Sequence, residues 1–264
     1  MNFQQKNFEY VTMTFGDFLS QIEDNKLLYM RAVSAERTAK ATDLSTDFPT
    51  IADDFSIPPE LSYVRSRIHS SPLRISGPVR MWLHYDVMAN ILCQVRGRKR
   101  VRLFPPSAHA ELGFKAGSTT SSLDVFPGER SRKEEQKEEE KEEEGRRKEP
   151  KVPKGCCEAT LNPGDILYIP PLWPHAVDAP DHRVGGFGEK ATVAVNVFFR
   201  SFEQGRYAPG KDIYGNRDLQ AYEHGRQGVA RIAKAFDGLP GEVRRFYIER
   251  LARELFDMAG TGGD

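Results

Sequence analysis

The segment Met81–Asp86 constrains this chain most, because it places an imidazole and a carboxylate two residues apart inside an apolar, strand-like run. Side chains alternate between the two faces of a strand, so His84 and Asp86 are predicted to share one face and to bind one metal ion. A His-x-Asp tripeptide alone arises often by chance. The interpretation therefore depends on a third ligand elsewhere in the chain.

The best candidate for that third ligand is His175. It closes the segment Gly164–His175, which we predict as a strand that follows a Pro-Gly-Asp turn and ends at the histidine. Trp173 lies two residues earlier and is expected to wall the metal pocket. Two histidines and one carboxylate on one side of a metal leave its other positions open, which is typical of non-haem Fe(II) oxygenases.

Lys99 follows His84 by fifteen residues, in a segment (96–106) that predicts a turn and then a strand. Alternation places Lys99 on the same face as the apolar residues Val101 and Leu103. A lysine on the interior of a β-barrel is costly unless it meets an anion. A dicarboxylate cosubstrate would supply that anion.

Several motifs occur in a characteristic order: His84–Met88, Asn90, Gly97–Arg100, Gly164–Pro170 with His175, Val195–Phe198, Lys211–Asp218, Leu239–Glu242 and Arg245–Tyr247. In this order they resemble the JmjC family of 2-oxoglutarate oxygenases, and within it the small hydroxylases related to the factor-inhibiting-HIF asparaginyl hydroxylase. The motifs look most like the hydroxylases of tRNA wybutosine synthesis, including the JmjC region of wybutosine-synthesising methyltransferase fusions. The resemblance runs over nearly the whole chain and is broken by one insertion.

The resemblance implies a fold that is mainly β with α: a double-stranded β-helix (cupin or jelly-roll) barrel with flanking N-terminal helices and a C-terminal helical pair. It implies that Fe(II) is bound by His84, Asp86 and His175. The implied reaction decarboxylates 2-oxoglutarate to succinate and uses O2 to hydroxylate a substrate C–H bond. No general base is needed for such a reaction.

The resemblance also implies contacts to 2-oxoglutarate. Lys99 would pair with its distal carboxylate, and Tyr29, Asn90 and Asn196 match positions that bind the cosubstrate or line its pocket in relatives. A local hydrogen bond of a buried tyrosine is the alternative for Tyr29, and a backbone partner is the alternative for Asn196. Met81 departs from the family, because many relatives carry a hydroxyl or amide there that contacts the cosubstrate.

Composition allows one core of ordinary size with an appended helical piece, since the chain has 264 residues of which 39% are apolar. The 38 basic and 38 acidic residues give no net charge, so a nucleic-acid partner requires a local basic patch. One cluster beside the predicted site offers such a patch: Arg96, Arg98, Arg100 and Arg102. We name Arg96, Arg98, Arg100 and Trp173 as candidate substrate contacts, with plain solvation of the arginines as the alternative. A more distant set is assigned to the solvated surface or to a substrate rim: Arg67, His69 and Arg74.

The three cysteines cannot build a disulfide framework, which favours a reducing compartment. The sequence contains no run near the ~20 apolar residues of a membrane span and no signal-peptide pattern at Met1. We therefore expect an intracellular protein, cytoplasmic or nuclear, without a membrane partner.

We divide the chain into an N-terminal part of the JmjC region (1–80), the first half of the metal-bearing barrel (81–128), a charged insertion (129–154), the second half of the barrel (155–203) and a C-terminal helical region (204–264). The first part is expected to be incomplete, because the chain enters the family pattern some way inside it. Between 129 and 151, ten residues are acidic and nine are basic, so this run cannot bury a core.

A helix is predicted over 14–22, because apolar residues recur at 15, 18, 19 and 22, which is the spacing of one helix face. Strands are predicted over 26–33 and 192–199.

Two C-terminal helices are predicted, from 218 to 236 and from 242 to 258. The second carries an apolar stripe at every fourth position: Val243, Tyr247, Leu251 and Leu255. Packing against the barrel and a homodimer interface both remain open for this stripe.

The substrate is the least constrained point. Our leading hypothesis, which depends on the resemblance alone, is hydroxylation of the side chain of a modified guanosine in tRNA. A protein side chain is the alternative substrate, with hydroxylation or demethylation as the reaction. A barrel that serves as a non-catalytic interaction module is the third possibility, and the complete metal-ligand set argues against it.

Overall fold

The computed structural model describes residues 8–37, 40–126, 153, 155–179, 190–201 and 217–260. The strands are β1 (Tyr29–Arg31), β2 (Ile68–Ser70), β3 (Leu73–Ser76), β4 (Arg80–His84), β5 (Ala89–Arg96), β6 (Lys99–Leu103), β7 (Thr120–Ser121), β8 (Cys157–Leu161), β9 (Ile166–Ile169), β10 (His175–Asp178) and β11 (Thr192–Phe199). The α-helices are α1 (Phe15–Glu23), α2 (Leu44–Asp47), α3 (Pro49–Ala52), α4 (Ser62–Arg65), α5 (Arg217–Ala235) and α6 (Gly241–Gly260), and two 3-10 turns cover Pro59–Leu61 and Pro106–Ala108.

The strands form two antiparallel sheets. Sheet A has the order β1-β3-β11-β5-β9, with β2 also paired to β11, and sheet B has the order β7-β4-β10-β6-β8. Neighbouring strands in each sheet come from distant parts of the chain, as they do in a jelly roll. The predicted jelly-roll fold is confirmed, although backbone pairing among the described strands does not join the two sheets into a closed barrel.

Three apolar layers hold the sheets in place. The outer face of sheet A packs on α1 through side chains such as Ile22, Ile91 and Val197. The space between the sheets contains a smaller apolar cluster: Leu92, Val101, Leu103, Leu161, Ile169 and Ala194. The outer face of sheet B is covered by the segment that follows β6, which contributes Phe104, Leu112 and Phe126 among others.

Helix α1 begins where the sequence predicts it. The hydroxyl of Thr14 accepts a hydrogen bond from the Asp17 amide (3.1 Å), which satisfies one of the free N–H groups of the first turn. Phe18 and Ile22 lie one turn apart on the buried face. The apolar spacing of this segment therefore predicted both the helix and the face that it buries.

The two C-terminal helices are also confirmed, as α5 and α6. The contact pattern divides the chain into residues 1–216 and 217–264, so these helices form a unit of their own. Within it the rings of Phe236 and Tyr247 stack at 6.2 Å between centroids, which packs α6 against the end of α5. The five-part division made from the sequence stays a prediction. Of its charged insertion (129–154) only Pro153 is described, and the motif residues 211–216 also lie outside the described residues.

Two strand predictions were wrong in their bounds. The segment Gly164–His175 forms two strands in different sheets, β9 in sheet A and β10 in sheet B, so His175 begins a strand instead of ending one. The prolines at 170, 171 and 174 explain the break, because proline has no N–H to donate to a ladder. The segment 26–33 is strand only over β1.

Among the described residues, no helix combines the length and the apolar character needed to cross a bilayer.

Candidate metal and cosubstrate site

The candidate metal site forms where β4 and β10 pair. His84 is the last residue of β4, and His175 is the first residue of β10. The two are direct partners in the antiparallel ladder, so their side chains point to the same face, and the ring centroids lie 4.3 Å apart. His175 also pairs with Leu103 of β6, which identifies this face as the one between the two sheets.

Asp86 completes the site from outside the strand. We predicted that His84 and Asp86 would alternate along one strand, but β4 ends at His84. A hydrogen bond from the Leu172 amide to the Asp86 carbonyl (2.8 Å) ties the segment after β4 to the loop that leads into β10. As a result Asp86 Oδ2 lies 3.7 Å from His175 Nε2. Ligand atoms of His84, Asp86 and His175 all lie within 4.8 Å of one another.

Both imidazoles are held by the same local hydrogen bond. His84 Nδ1 lies 2.9 Å from the Trp82 carbonyl oxygen, and His175 Nδ1 lies 2.9 Å from the Trp173 carbonyl oxygen. A carbonyl can only accept, so each Nδ1 carries the proton and each Nε2 keeps its lone pair for a metal. A register shift in the β4–β10 ladder places an extra residue of β4 near Trp82.

Electrostatics also favour a neutral ligand at His175. Burial, followed by the neighbouring His84, lowers the pKa of His175 to about 4. The neutral imidazole that a metal requires is therefore the stable form of His175 at neutral pH.

Lys99 lies on the same inter-sheet face as the candidate metal ligands. It alternates with Val101 and Leu103 along β6, as predicted, and its residue is only 7% exposed. Burial, followed by the Arg74 guanidinium, lowers its pKa from 10.5 to about 7. Within the described part of the chain, no ion pair or hydrogen bond to the Lys99 amine is found.

A polar cluster on sheet A faces this lysine. Arg74 donates to Asn196 Oδ1 (2.9 Å) and to the Tyr29 hydroxyl, and the amide of Asn196 donates to Asn90 Oδ1 (3.2 Å). Of the three predicted cosubstrate residues on this sheet, Asn90 and Asn196 are buried and Tyr29 is half-buried. The structure therefore brings all three into one hydrogen-bond network. The side chain of Asn196 bonds to the side chains of Arg74 and Asn90, not to a backbone group.

Arg74 is the residue that sequence reasoning misplaced. We assigned it to the surface or to a substrate rim, but it is the centre of the polar cluster and is half-buried. The available signal was the alternation in β3, where Leu73 and Ile75 are buried against the outer core and Arg74 must point the other way. Among the described residues no carboxylate pairs with Arg74.

The arginines predicted to contact substrate lie elsewhere. Arg100 points to the outer face of sheet B, where it pairs with Asp178 (3.0 Å) and lies 4.7 Å from the centroid of the Phe126 ring. Arg102 lies on the same outer face and pairs with Glu158 (2.6 Å). This geometry gives Arg100 no support as a contact beside the metal ligands.

Arg96 and Arg98 are exposed at the corner between β5 and β6. Arg98 donates to Asn162 Oδ1 at 3.2 Å. Trp173 is half-buried and packs on the cluster between the sheets, two residues before His175. The substrate roles of Arg96, Arg98 and Trp173 stay predictions, and only Trp173 lies against the candidate metal ligands.

Comparison with known proteins places this site in a family context. Residues 1–205 match the cupin-like domain family. The chain belongs to the cupin-like family. This membership confirms the resemblance inferred from the motifs, which was to a cupin-like domain of the JmjC type.

The cupin-like chain is also similar to two groups of curated proteins. It is 49% identical over 259 residues to the tRNA wybutosine-synthesizing protein 4 of Neurospora crassa, a match that covers 97% of this chain and 20% of the relative. It is 32% identical over 270 residues to the tRNA wybutosine-synthesizing protein 5 of Danio rerio, covering 98% of this chain and 74% of the relative. The chain thus spans about a fifth of the protein 4 relative and about three quarters of the protein 5 relative.

Among solved structures, the chain matches the ribosomal oxygenase YcfD of Escherichia coli with a TM-score of 0.31 and 21% identity, over 62% of this chain and 28% of that chain. A likeness this low carries no argument about function.

Proposed function

We propose that this cupin-like chain is an Fe(II)- and 2-oxoglutarate-dependent hydroxylase domain that acts on a modified guanosine of the wybutosine pathway in tRNA. The observation that carries the proposal is the convergence of two Nε2 lone pairs and one carboxylate on a single point between the sheets. Two neutral histidines and one carboxylate on one side suit non-haem Fe(II) and leave room for further ligands. Bound Fe(II) would supply the activation of O2.

The second support is an excess of buried positive charge beside the ligands. Lys99 and Arg74 face one space, and no carboxylate neutralises either of them within the described residues. Burying unpaired cations is costly unless an anion joins them. A dicarboxylate such as 2-oxoglutarate would offer one carboxylate to these cations and direct its other end to the ligand set.

Each residue of the polar cluster has a defined part in this proposal. Lys99 would bind the distal carboxylate, and Arg74, held by Tyr29 and Asn196, would add a second cation to the pocket. Asn90 would keep the Asn196 amide oriented through its hydrogen bond. Met81 pairs with Val177 in the ladder and offers no hydrogen bond, so the polar contacts would come from sheet A and from Lys99.

The reaction balances without a protein base. One 2-oxoglutarate, one O2 and one substrate C–H bond would give succinate, CO2 and a C–OH bond. The protein would contribute position and the exclusion of side reactions. The half-buried Trp173 would form part of the wall that separates the reacting atoms from solvent.

The tRNA substrate is supported by the names of the relatives, which are tRNA wybutosine-synthesizing proteins 4 and 5. On this proposal the protein works where tRNA is modified, in the cytoplasm or the nucleus. The four arginines near β6 give less support than expected, since two of them are engaged on the outer face of sheet B.

A homodimer through the C-terminal helices is the remaining part of the proposal. Apolar side chains stay exposed on α6, including Phe246 (59%), Phe256 (79%) and Met258 (70%). The predicted stripe is exposed as well, at Val243 and Leu255. Exposed apolar side chains of this kind favour an interaction site, and a second copy of the same helices would cover them with closed symmetry.

The central experiment combines two readouts. Fe(II)-loaded protein is supplied with 2-oxoglutarate, air and tRNA that carries the unhydroxylated wybutosine-type nucleoside, and both succinate and a 16 Da gain on the nucleoside are measured. We expect both products from the native protein and neither from Asp86→Ala. His224→Ala, which alters an exposed histidine of α5, is the matched control and should retain both.

The outcomes separate the hypotheses. Succinate release that is indifferent to tRNA would move the proposal to a protein substrate. Binding of metal and 2-oxoglutarate without any turnover would favour an interaction module. Metal binding itself is measurable by tryptophan fluorescence. The chain has only two tryptophans, and the backbone carbonyl of each accepts a hydrogen bond from one candidate ligand histidine.

A further inference from the structure

Gln94 is a buried amide whose oxygen lacks a partner. Its residue is 2% exposed on β5, and Oε1 has no hydrogen-bond partner among the residues that the structure describes, although it is shielded from solvent. A buried acceptor without a donor is destabilising and calls for an explanation. We propose that Gln94 is a positioning residue for Lys99: its amide oxygen accepts from the Lys99 ammonium, directly or through one water, and aims that ammonium at the distal carboxylate of the cosubstrate. This inference depends on the cosubstrate role proposed for Lys99.

The orientation of the Gln94 amide is fixed by its nitrogen. Nε2 donates to the Arg96 carbonyl and to the Thr192 hydroxyl (2.9 Å), and that hydroxyl in turn donates to the Arg96 carbonyl (3.1 Å). Both N–H donors are therefore used. A flipped amide would set its oxygen against the Arg96 carbonyl, so Oε1 must point away from this corner.

Lys99 begins the next strand, and it lies on the facing side of the space between the sheets. Gln94 pairs with Ala194 in sheet A, and Lys99 pairs with Leu161 in sheet B. Ala194 and Leu161 belong to the same apolar cluster, so the two polar side chains flank one layer of the core. Within the described residues, the Lys99 amine has three donors and no acceptor, and Gln94 Oε1 is an acceptor without a donor.

The turn between them packs closely against Thr192. Gly97 has φ of +73°, and a Cβ there would lie 3.0 Å from the Thr192 Cβ. Gln94 and Gly97 thus both contact Thr192 in the turn that precedes Lys99. The turn would position the Lys99 backbone, and the Gln94 amide oxygen would position the Lys99 ammonium.

The chemistry favours glutamine over glutamate at this position. A neutral oxygen orients an ammonium and leaves its charge available to a ligand. A carboxylate there would neutralise the ammonium and compete with the distal carboxylate. Gln94→Leu and Gln94→Glu are therefore expected to weaken cosubstrate binding for different reasons.

The test is a double-mutant cycle on ligand binding. The Zn(II)-loaded protein, which does not turn over, is titrated with 2-oxoglutarate and with 2-oxobutanoate, which lacks the distal carboxylate. We expect Gln94→Leu to weaken 2-oxoglutarate binding roughly tenfold, the size of one hydrogen bond to a charged group, and to leave 2-oxobutanoate binding unchanged. In Lys99→Met the second change should add little, because the two residues act on one contact.

Two further variants keep the result interpretable. Gln94→Glu should lower 2-oxoglutarate affinity at least as far as Gln94→Leu, again without an effect on 2-oxobutanoate. Gln21→Leu alters a partly buried glutamine of α1, which contacts Met13 on the other side of sheet A, and should affect neither ligand.

The inference would be overturned if Gln94→Leu weakened the binding of both ligands equally, or if its effect were fully additive with that of Lys99→Met. Gln94 would then only stabilise the turn between β5 and β6. If Lys99→Met itself leaves 2-oxoglutarate binding unchanged, the proposed cosubstrate site fails instead.

Discussion

The pH dependence of 2-oxoglutarate binding follows from the burial of Lys99. In the empty folded protein the pKa of Lys99 is lowered to about 7, and a bound carboxylate would stabilise the protonated ammonium. Binding should then take up a proton at and above pH 7, and affinity should fall as pH rises. With a pKa of about 7, roughly nine tenths of the empty sites are protonated at pH 6 and roughly one tenth at pH 8, so the dissociation constant should rise about tenfold over this range.

The assay is calorimetric titration of the metal-saturated protein with 2-oxoglutarate between pH 6 and pH 8, in buffers of different ionisation enthalpy. The heat should reveal uptake of about one proton at pH 8 and little at pH 6. Lys99→Arg is the control, because a guanidinium keeps its charge and should remove the slope, whatever its effect on affinity. A flat affinity in the native protein, or an unchanged slope in Lys99→Arg, would refute the reasoning.

The lowered pKa of Lys99 also gives a stability prediction. Between about pH 7 and pH 10.5 the unfolded chain binds more protons than the empty folded protein, so the free energy of unfolding should increase with pH in that range. Chemical denaturation at several pH values measures this increase. Arg74→Leu should weaken 2-oxoglutarate binding by about tenfold or more, since it removes a cation and frees the Tyr29 hydroxyl and Asn196; an unchanged affinity in a calorimetric titration would contradict the two-cation pocket. Gly97→Ala should lower the free energy of unfolding by about 1–3 kcal/mol, and more than Gly164→Ala, because both glycines have positive φ but only the first would bring a Cβ to within 3.0 Å of another residue. Phe256→Asp should shift a dimer to monomer in sedimentation velocity; a species of unchanged mass would argue against α6 as the interface.

The sequence predicted the elements whose periodicity reflects a single buried face. Helix α1 lies where its pattern indicates, because one of its faces packs on the core outside sheet A. The alternation in β6 predicted correctly that Lys99 would point between the sheets. Local patterns of this kind need no knowledge of the partner strand.

Positions that depend on pairing between distant strands were harder to predict. The chain crosses from sheet A to sheet B before His175, and the sequence signals this crossing only by its prolines. We therefore predicted His175 at the end of a strand, whereas it begins one. Asp86 reaches the site through a backbone hydrogen bond from Leu172, which no spacing rule indicates. Arg100 alternates to the outer face of sheet B, opposite Lys99, and the residue that covers it there, Phe126, lies more than twenty residues later in the chain, which no local pattern indicates.

The pairing of His84 with His175 has a consequence for the order of folding. The two histidines are ladder partners, yet 91 positions of sequence separate them. Contacts this distant form late, because the entropy of closing the intervening loop must be overcome before they gain anything from neighbouring contacts. The site therefore reports on the assembly of long-range strand pairs, and the rate at which a refolding chain gains the capacity to bind metal should follow sheet B as a whole, not the local formation of α1.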